Sequence, residues 1–116
     1  MSNLPVLLVS ELDQYIADIK DKSDEWMDRV FINFKNGHSI SIIRGEYSYG
    51  GRKGLFEIMP SDAGAVGCRI GDEVKGYLTA DEVVHNSLIL AKLPKVVKEL
   101  ANTKGLSNMP KEITNG

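Results

Sequence analysis

Residues 29–44 read Arg29-Val30-Phe31-Ile32-Asn33-Phe34-Lys35-Asn36-Gly37-His38-Ser39-Ile40-Ser41-Ile42-Ile43-Arg44. Apolar side chains recur at every second position on both sides of Asn36-Gly37, the period of a half-buried strand, so the stretch predicts a β-hairpin. Loop length then sets the register. A two-residue turn at Asn36-Gly37 opposes Phe34 to Ser39 and Ile32 to Ser41, setting apolar against polar side chains. A three-residue loop, Lys35-Asn36-Gly37, with Gly37 left-handed as a G1 bulge, instead opposes Phe34 to His38, Ile32 to Ile40 and Val30 to Ile42. That register gives one apolar face, leaves Phe31, Asn33, Ser39 and Ser41 on the other, and sets Asp28 opposite Arg44.

Working outward towards the N-terminus, Ser10 followed by Asp13 resembles a capping box. Leu12, Tyr15, Ile16 and Ile19 then recur at helical spacing, which predicts an amphipathic helix over residues 11–22. Its other face, with Asp13, Asp18, Asp21 and Lys22, reads as a solvated face. Towards the C-terminus, residues 55–59 read as a third strand ended by Pro60, and residues 74–78, interrupted by Gly76, as a short fourth one at a sheet edge or close crossing. Thr79-Ala80-Asp81-Glu82 is a capping box that opens a helix over 80–93, and after Pro94 residues 95–101 read as a second short helix or a kinked continuation. The expectation is an α+β domain over residues 1–105, with an antiparallel sheet of three to four strands against N- and C-terminal helices, and a flexible tail over 106–116.

The 116 residues are enough for one core but not two. Hydrophobic residues make up 42% and charged ones 26%, the mixture of a globular chain. A formal charge of −2 is too balanced for a dedicated nucleic-acid binder, so charge names no partner. It is distributed unevenly, however: residues 11–28 are acidic and residues 92–116 basic. With Cys68 as the single cysteine, no internal disulfide forms and the cytosol is the expected compartment. The apolar run 4–9 is too short for a membrane span or a signal-peptide core, so neither membrane association nor targeting is expected.

Few residues suggest catalysis. His38 lies beside a hairpin turn and His85 inside a helix, neither with a partner motif. Glu82 and His85 lie three apart on one helical face, but two such ligands do not hold zinc, and no metal or other cofactor is expected. Arg69 could lower the Cys68 thiol pKa, yet a lone cysteine without a base reads as a packing residue. Glu46, Glu57, Asp62, Asp72 and Glu73 show no spacing that selects an acid–base pair. The chain is therefore expected not to be an enzyme.

The stretch Arg44-Gly45-Glu46-Tyr47-Ser48-Tyr49-Gly50-Gly51-Arg52-Lys53-Gly54 carries three cations, two tyrosines and four glycines between two strands. It is not a Walker loop, because Lys53-Gly54 leads into a strand and not a helix. Arg44, Tyr47, Tyr49, Gly50, Gly51, Arg52 and Lys53 are the candidate binding residues. The cations and backbone N–H groups would face an anion, and a tyrosine ring would stack on a base. Alternatively, the glycines satisfy left-handed turns and the tyrosines pack over the sheet end.

The hairpin sequence from Phe34 to Gly45, then Tyr47-Ser48-Tyr49-Gly50-Gly51 with Gly54-Leu55-Phe56-Glu57-Ile58, and Gly76-Tyr77-Leu78-Thr79 with Asp81-Glu82-Val83, together resemble a group of small proteins of bacteriophages and prophages. The resemblance covers the middle half of the chain. It implies a strand, an Asn-Gly turn, a second strand, a Tyr-Gly-Gly loop and a capped helix in that order, an accessory role in the host cytoplasm, and no active site. The acidic 11–22 segment, the glycine-rich 61–71 insertion and the extended C-terminus depart from that pattern.

Two functions follow as expectations. One is a non-catalytic phage-type protein that binds and modulates a host protein, as in counter-defence, through a sheet face or the acidic 11–22 helix, for which one face of a domain this size suffices. The other is sequestration of a nucleotide or other anionic signal by the 44–53 loop, completed by a neighbouring subunit in a homo-oligomer.

Overall fold

The computed structural model describes residues 10–96 of the chain. In order they form α1 (Ser10–Asp13), β1 (Ile16–Asp21), β2 (Met27–Phe34), β3 (Ser39–Gly45), β4 (Phe56–Pro60), β5 (Lys75–Leu78) and α2 (Ala80–Ala91), with short 3₁₀ turns at Gly51–Lys53 and Gly64–Val66. The expectations for residues 4–9, for 97–101 of the second C-terminal helix and for the 106–116 tail lie outside the described residues. Lys95 and Val96 adopt no regular structure.

The hairpin has the three-residue-loop register. Val30 pairs with Ile42, Ile32 with Ile40 and Asn33 with Ser39. The Phe34 N–H donates to the His38 carbonyl at 2.8 Å, closing the loop. Gly37 has φ +92°, where a side chain would be strained and would also crowd Val96. Asp28 lies opposite Arg44, and their side chains form an ion pair at 2.9 Å.

The sheet is larger than expected, with five antiparallel strands in the meander order β1-β2-β3-β4-β5. The fifth strand is β1, which replaces the expected 11–22 helix. Only a single turn at the start of that segment is helical, as α1. The reason is a β-bulge: Ile16 lies opposite Phe34 and Ile19 opposite Ile32, so two isoleucines three apart match partners two apart. One inserted residue makes a strand imitate helical spacing. The chain then turns back through residues 23–26, where the Asp24 N–H donates to the Met27 carbonyl, and Ile16 and Ile19 extend the face already made by Val30, Ile32 and Phe34.

That face carries the core. Val30, Ile32, Phe34, Ile40, Ile42, Phe56, Ile58 and Leu78 from the sheet are buried with Leu12 of α1, Val66, and Val83, Leu90 and Ala91 of α2. Each such side chain fully withdrawn from water contributes about 1.5–3 kcal/mol. The capping box is complete: the Thr79 hydroxyl accepts the Glu82 N–H at 3.2 Å, and the Glu82 carboxylate accepts the Thr79 N–H at 2.9 Å. α2 ends at Ala91, two residues short of expectation. Pro94 would clash with the Leu90 carbonyl in a continued helix. The Asn36 amide occupies that end instead, its Nδ2 donating to the carbonyls of Leu90, Ala91 and Leu93 at 2.7, 3.1 and 3.0 Å.

On the other side of α2, Lys75 Nζ donates to the Val66 carbonyl at 2.8 Å and to Asn86 Oδ1 at 3.1 Å, while Asn86 Nδ2 donates to the Glu82 carbonyl. A half-buried ammonium thus joins β5, the Gly64–Val66 turn and α2. Among the described residues no helix is long and apolar enough to cross a membrane.

Candidate binding surface

Two turns and a strand end meet at one end of the sheet. Met27 pairs with Gly45 and Phe56 with Leu78, so the β1–β2 turn, the β3–β4 loop and the end of β5 are neighbours there. The Asn36-Gly37 turn lies at the opposite end.

The loop between β3 and β4 is held from inside. Ser48 is buried, its Oγ accepting the Gly45 N–H and donating to the Gly45 carbonyl, both at 2.9 Å. Tyr49 N–H donates to the Glu57 carboxylate at 2.8 Å, and Gly51, Lys53 and Gly54 N–H groups donate to the carbonyls of Ser48, Gly50 and Gly51. These amides close turns and do not converge on an anion. Gly50, at φ +90°, has no room for a side chain, since a Cβ would lie 2.9 Å from the Tyr77 Cα. A Cβ on Gly51 would collide with the Gly45 carbonyl.

Among the described residues Tyr77 is the sole non-glycine with positive φ, at +58°. It sits at a register shift between β4 and β5, where its N–H donates to the Tyr49 carbonyl at 3.1 Å. A tyrosine held in this left-handed conformation costs about 1–3 kcal/mol, a strain typical of ligand-contacting positions. Its ring points outward.

The three cations of the loop have different surroundings. Arg44 binds Asp28 through both Nε and a terminal nitrogen, at 3.2 and 2.9 Å, and its guanidinium lies 4.7 Å from the centre of the Phe56 ring. That side chain fastens β2 to β3 and closes the core. Arg52 faces Glu46 at 3.6 Å, both well exposed. Glu46, Ser48, Gly50, Arg52, Lys53 and Tyr77 line a shallow depression of about 190 Å³. This is smaller than the ~300–1,000 Å³ of ordinary small-molecule pockets.

The exposed aromatic rings stand out more than the cations. The chain has one Trp, four Tyr and three Phe. Four of these rings project from this end: Trp26 at 79% exposure, Tyr47 at 86%, Tyr49 at 57% and Tyr77 at 59%. Trp26 is presented by a rigid turn, in which Asp24 Oδ1 accepts the N–H groups of Trp26 and Met27 at 2.8 and 2.9 Å. The Trp26 carbonyl packs against Gly45. Sequence reasoning singled out Tyr47 and Tyr49 but missed Trp26 and Tyr77. The available signal was a large aromatic set in the polar turn Asp24-Glu25-Trp26, where no core is within reach.

The histidines and the cysteine lie elsewhere. His38 Nδ1 is 2.9 Å from Ser61 Oγ, which also accepts the Ser39 N–H at 3.0 Å. This contact ties the hairpin to the end of β4. His85 is exposed on α2, and Cys68 is half-buried with Sγ against the Val74 carbonyl. Among the described residues no group of three His, Cys, Asp or Glu is placed to hold a metal ion. The pKa of Glu82 is lowered, first by the Thr79 backbone N–H and then by the Thr79 hydroxyl.

Comparison with protein-family models, with curated proteins and with solved structures finds no match.

Proposed function

We propose that this chain is a non-catalytic accessory protein of the phage type that binds and modulates a host protein in the host cytoplasm, as a counter-defence factor, docking through the aromatic end of its sheet. One observation carries the reading: Trp26, Tyr47, Tyr49 and Tyr77 project from two adjoining turns and a strand end and leave most of their surface in water. Tyrosine and tryptophan supply large contact areas with few rotors to freeze, which is why they dominate binding hot spots. Ser48, Gly50 and Gly51 fix the backbone beneath them, so little ordering entropy is lost on docking. The test is substitution of each ring by alanine, with capture of a partner and thermal unfolding measured on the same samples. The expected result is loss of capture for at least two variants at unchanged melting temperature. Equal capture by all four variants removes the reading.

The alternative, sequestration of an anionic nucleotide, is favoured by Lys53, Arg52 and Tyr77 sharing the rim of the depression. Its volume requires a second subunit to complete the site, and Glu46 lines the same hollow. Calorimetry against a nucleotide panel separates the two readings, because the sequestration reading requires heat from a nucleotide in the absence of any protein partner.

A further inference from the structure

Among the described residues β1 is an outer strand of the sheet, and its sequence complements itself. In the β1–β2 ladder the Lys22 N–H donates to the Arg29 carbonyl at 2.8 Å, and the pairing continues Asp21 to Val30, Lys20 to Phe31 and Ile19 to Ile32. Backbone groups of an antiparallel strand alternate in direction. Lys20 therefore points its N–H and C=O at β2, as Lys22 does, and Ile19 points both away from the sheet. The Ile19 side chain belongs to the core face, opposite Ile32, yet is 39% exposed because nothing described lies beyond it. Asp18 and Lys20 flank it on the opposite face, both exposed.

The geometry points to a homodimer in which β1 pairs antiparallel with β1 of a second copy, centred on Ile19, to make one continuous sheet. In this register Ile19 exchanges both backbone hydrogen bonds with its own counterpart, and the two isoleucine side chains meet across the dyad. Asp18 of each copy lies opposite Lys20 of the other on the same face, giving two opposite-charge cross-strand pairs. Neighbouring registers lack this property. Centring on Asp18, Lys20 or Asp21 opposes that charged residue to itself, and any register between residues sets core-facing against outward-facing side chains. An exposed strand edge is a template for pairing, and here the charges select a second copy of the same strand. The dyad stands perpendicular to the sheet, so the two aromatic ends point in opposite directions.

Sedimentation of the full chain from micromolar to millimolar concentration tests this, with three variants. Wild type is expected to dimerise. Asp18→Lys and Lys20→Asp each set like charges opposite one another twice, and each is expected to weaken association about tenfold or more. Mixing the two in equal amounts is expected to restore a heterodimer, because position 18 of one then meets the opposite charge at position 20 of the other. Ile19→Pro removes an outward N–H and a partly exposed side chain but no donor of the β1–β2 ladder, and is expected to be a folded monomer. A wild type that stays monomeric throughout overturns the inference. So does assembly of wild-type strength in both charge variants, or the failure of their mixture to associate. If Ile19→Pro does not fold, the exposed charge variants still decide the question.

Discussion

At the scale of single residues, Asn36 shows how one side chain serves two elements. Its Oδ1 accepts the His38 N–H inside the hairpin loop at 3.0 Å, and its Nδ2 closes the C-terminus of α2 through three carbonyls. Asn36→Ala leaves those helix-end carbonyls without their donor, and the expected loss is about 1–3 kcal/mol, measured by urea unfolding. The position was legible as a turn residue, because Asn before Gly marks a hairpin. Its second role was not, because the partners Leu90, Ala91 and Leu93 lie more than fifty positions away and only packing brings them within reach. Trp26 is the opposite case. Its side chain makes no core contact, so Trp26→Ala is expected to shift stability by less than about 0.5 kcal/mol while removing partner capture.

At the scale of elements, the start of α2 was read correctly from its cap, since Thr79 and Glu82 satisfy one another over four consecutive residues and need no tertiary partner. The same pair gives a pH dependence. The folded-state pKa of Glu82 lies below its ordinary value, because the carboxylate accepts the Thr79 N–H. Its contribution is therefore fully present above the ordinary glutamate range and is lost as the pH falls through the lowered value. Wild type is expected to melt above Glu82→Gln at neutral pH, and the two melting temperatures are expected to converge as the pH falls through the lowered Glu82 value. β1 was misread for an equally local reason. Apolar residues three apart satisfy a helix and also a strand with one bulged residue, and the sequence of β1 alone contains nothing that separates the two. The decision comes from β2: an open β2 edge beside Ile32 and Phe34 offers both hydrogen bonds and an apolar face, whereas an isolated helix of that length is marginal in water.

At the scale of the whole molecule, the meander gives the protein two separate surfaces, the aromatic strand ends and the lateral edge of β1. If both act as argued, they are independent. Asp18→Lys is then expected to lose self-association yet capture as much partner per chain as wild type, as determined by light scattering of the captured complex. A parallel loss of both properties would place the partner on the edge and not on the aromatic end. The sequence by itself determined the hairpin, its register, the Asp28–Arg44 pair, the capped helix and the glycine-held loop, because each rests on contacts between residues close along the chain or fixed by one turn. Tertiary structure alone decided the fifth strand, the attachment of Arg44 to the core and the convergence of Trp26 with Tyr47, Tyr49 and Tyr77. Those outcomes depend on which distant backbone edge and which apolar face are nearby once the chain has collapsed, and local periodicity carries no information about either.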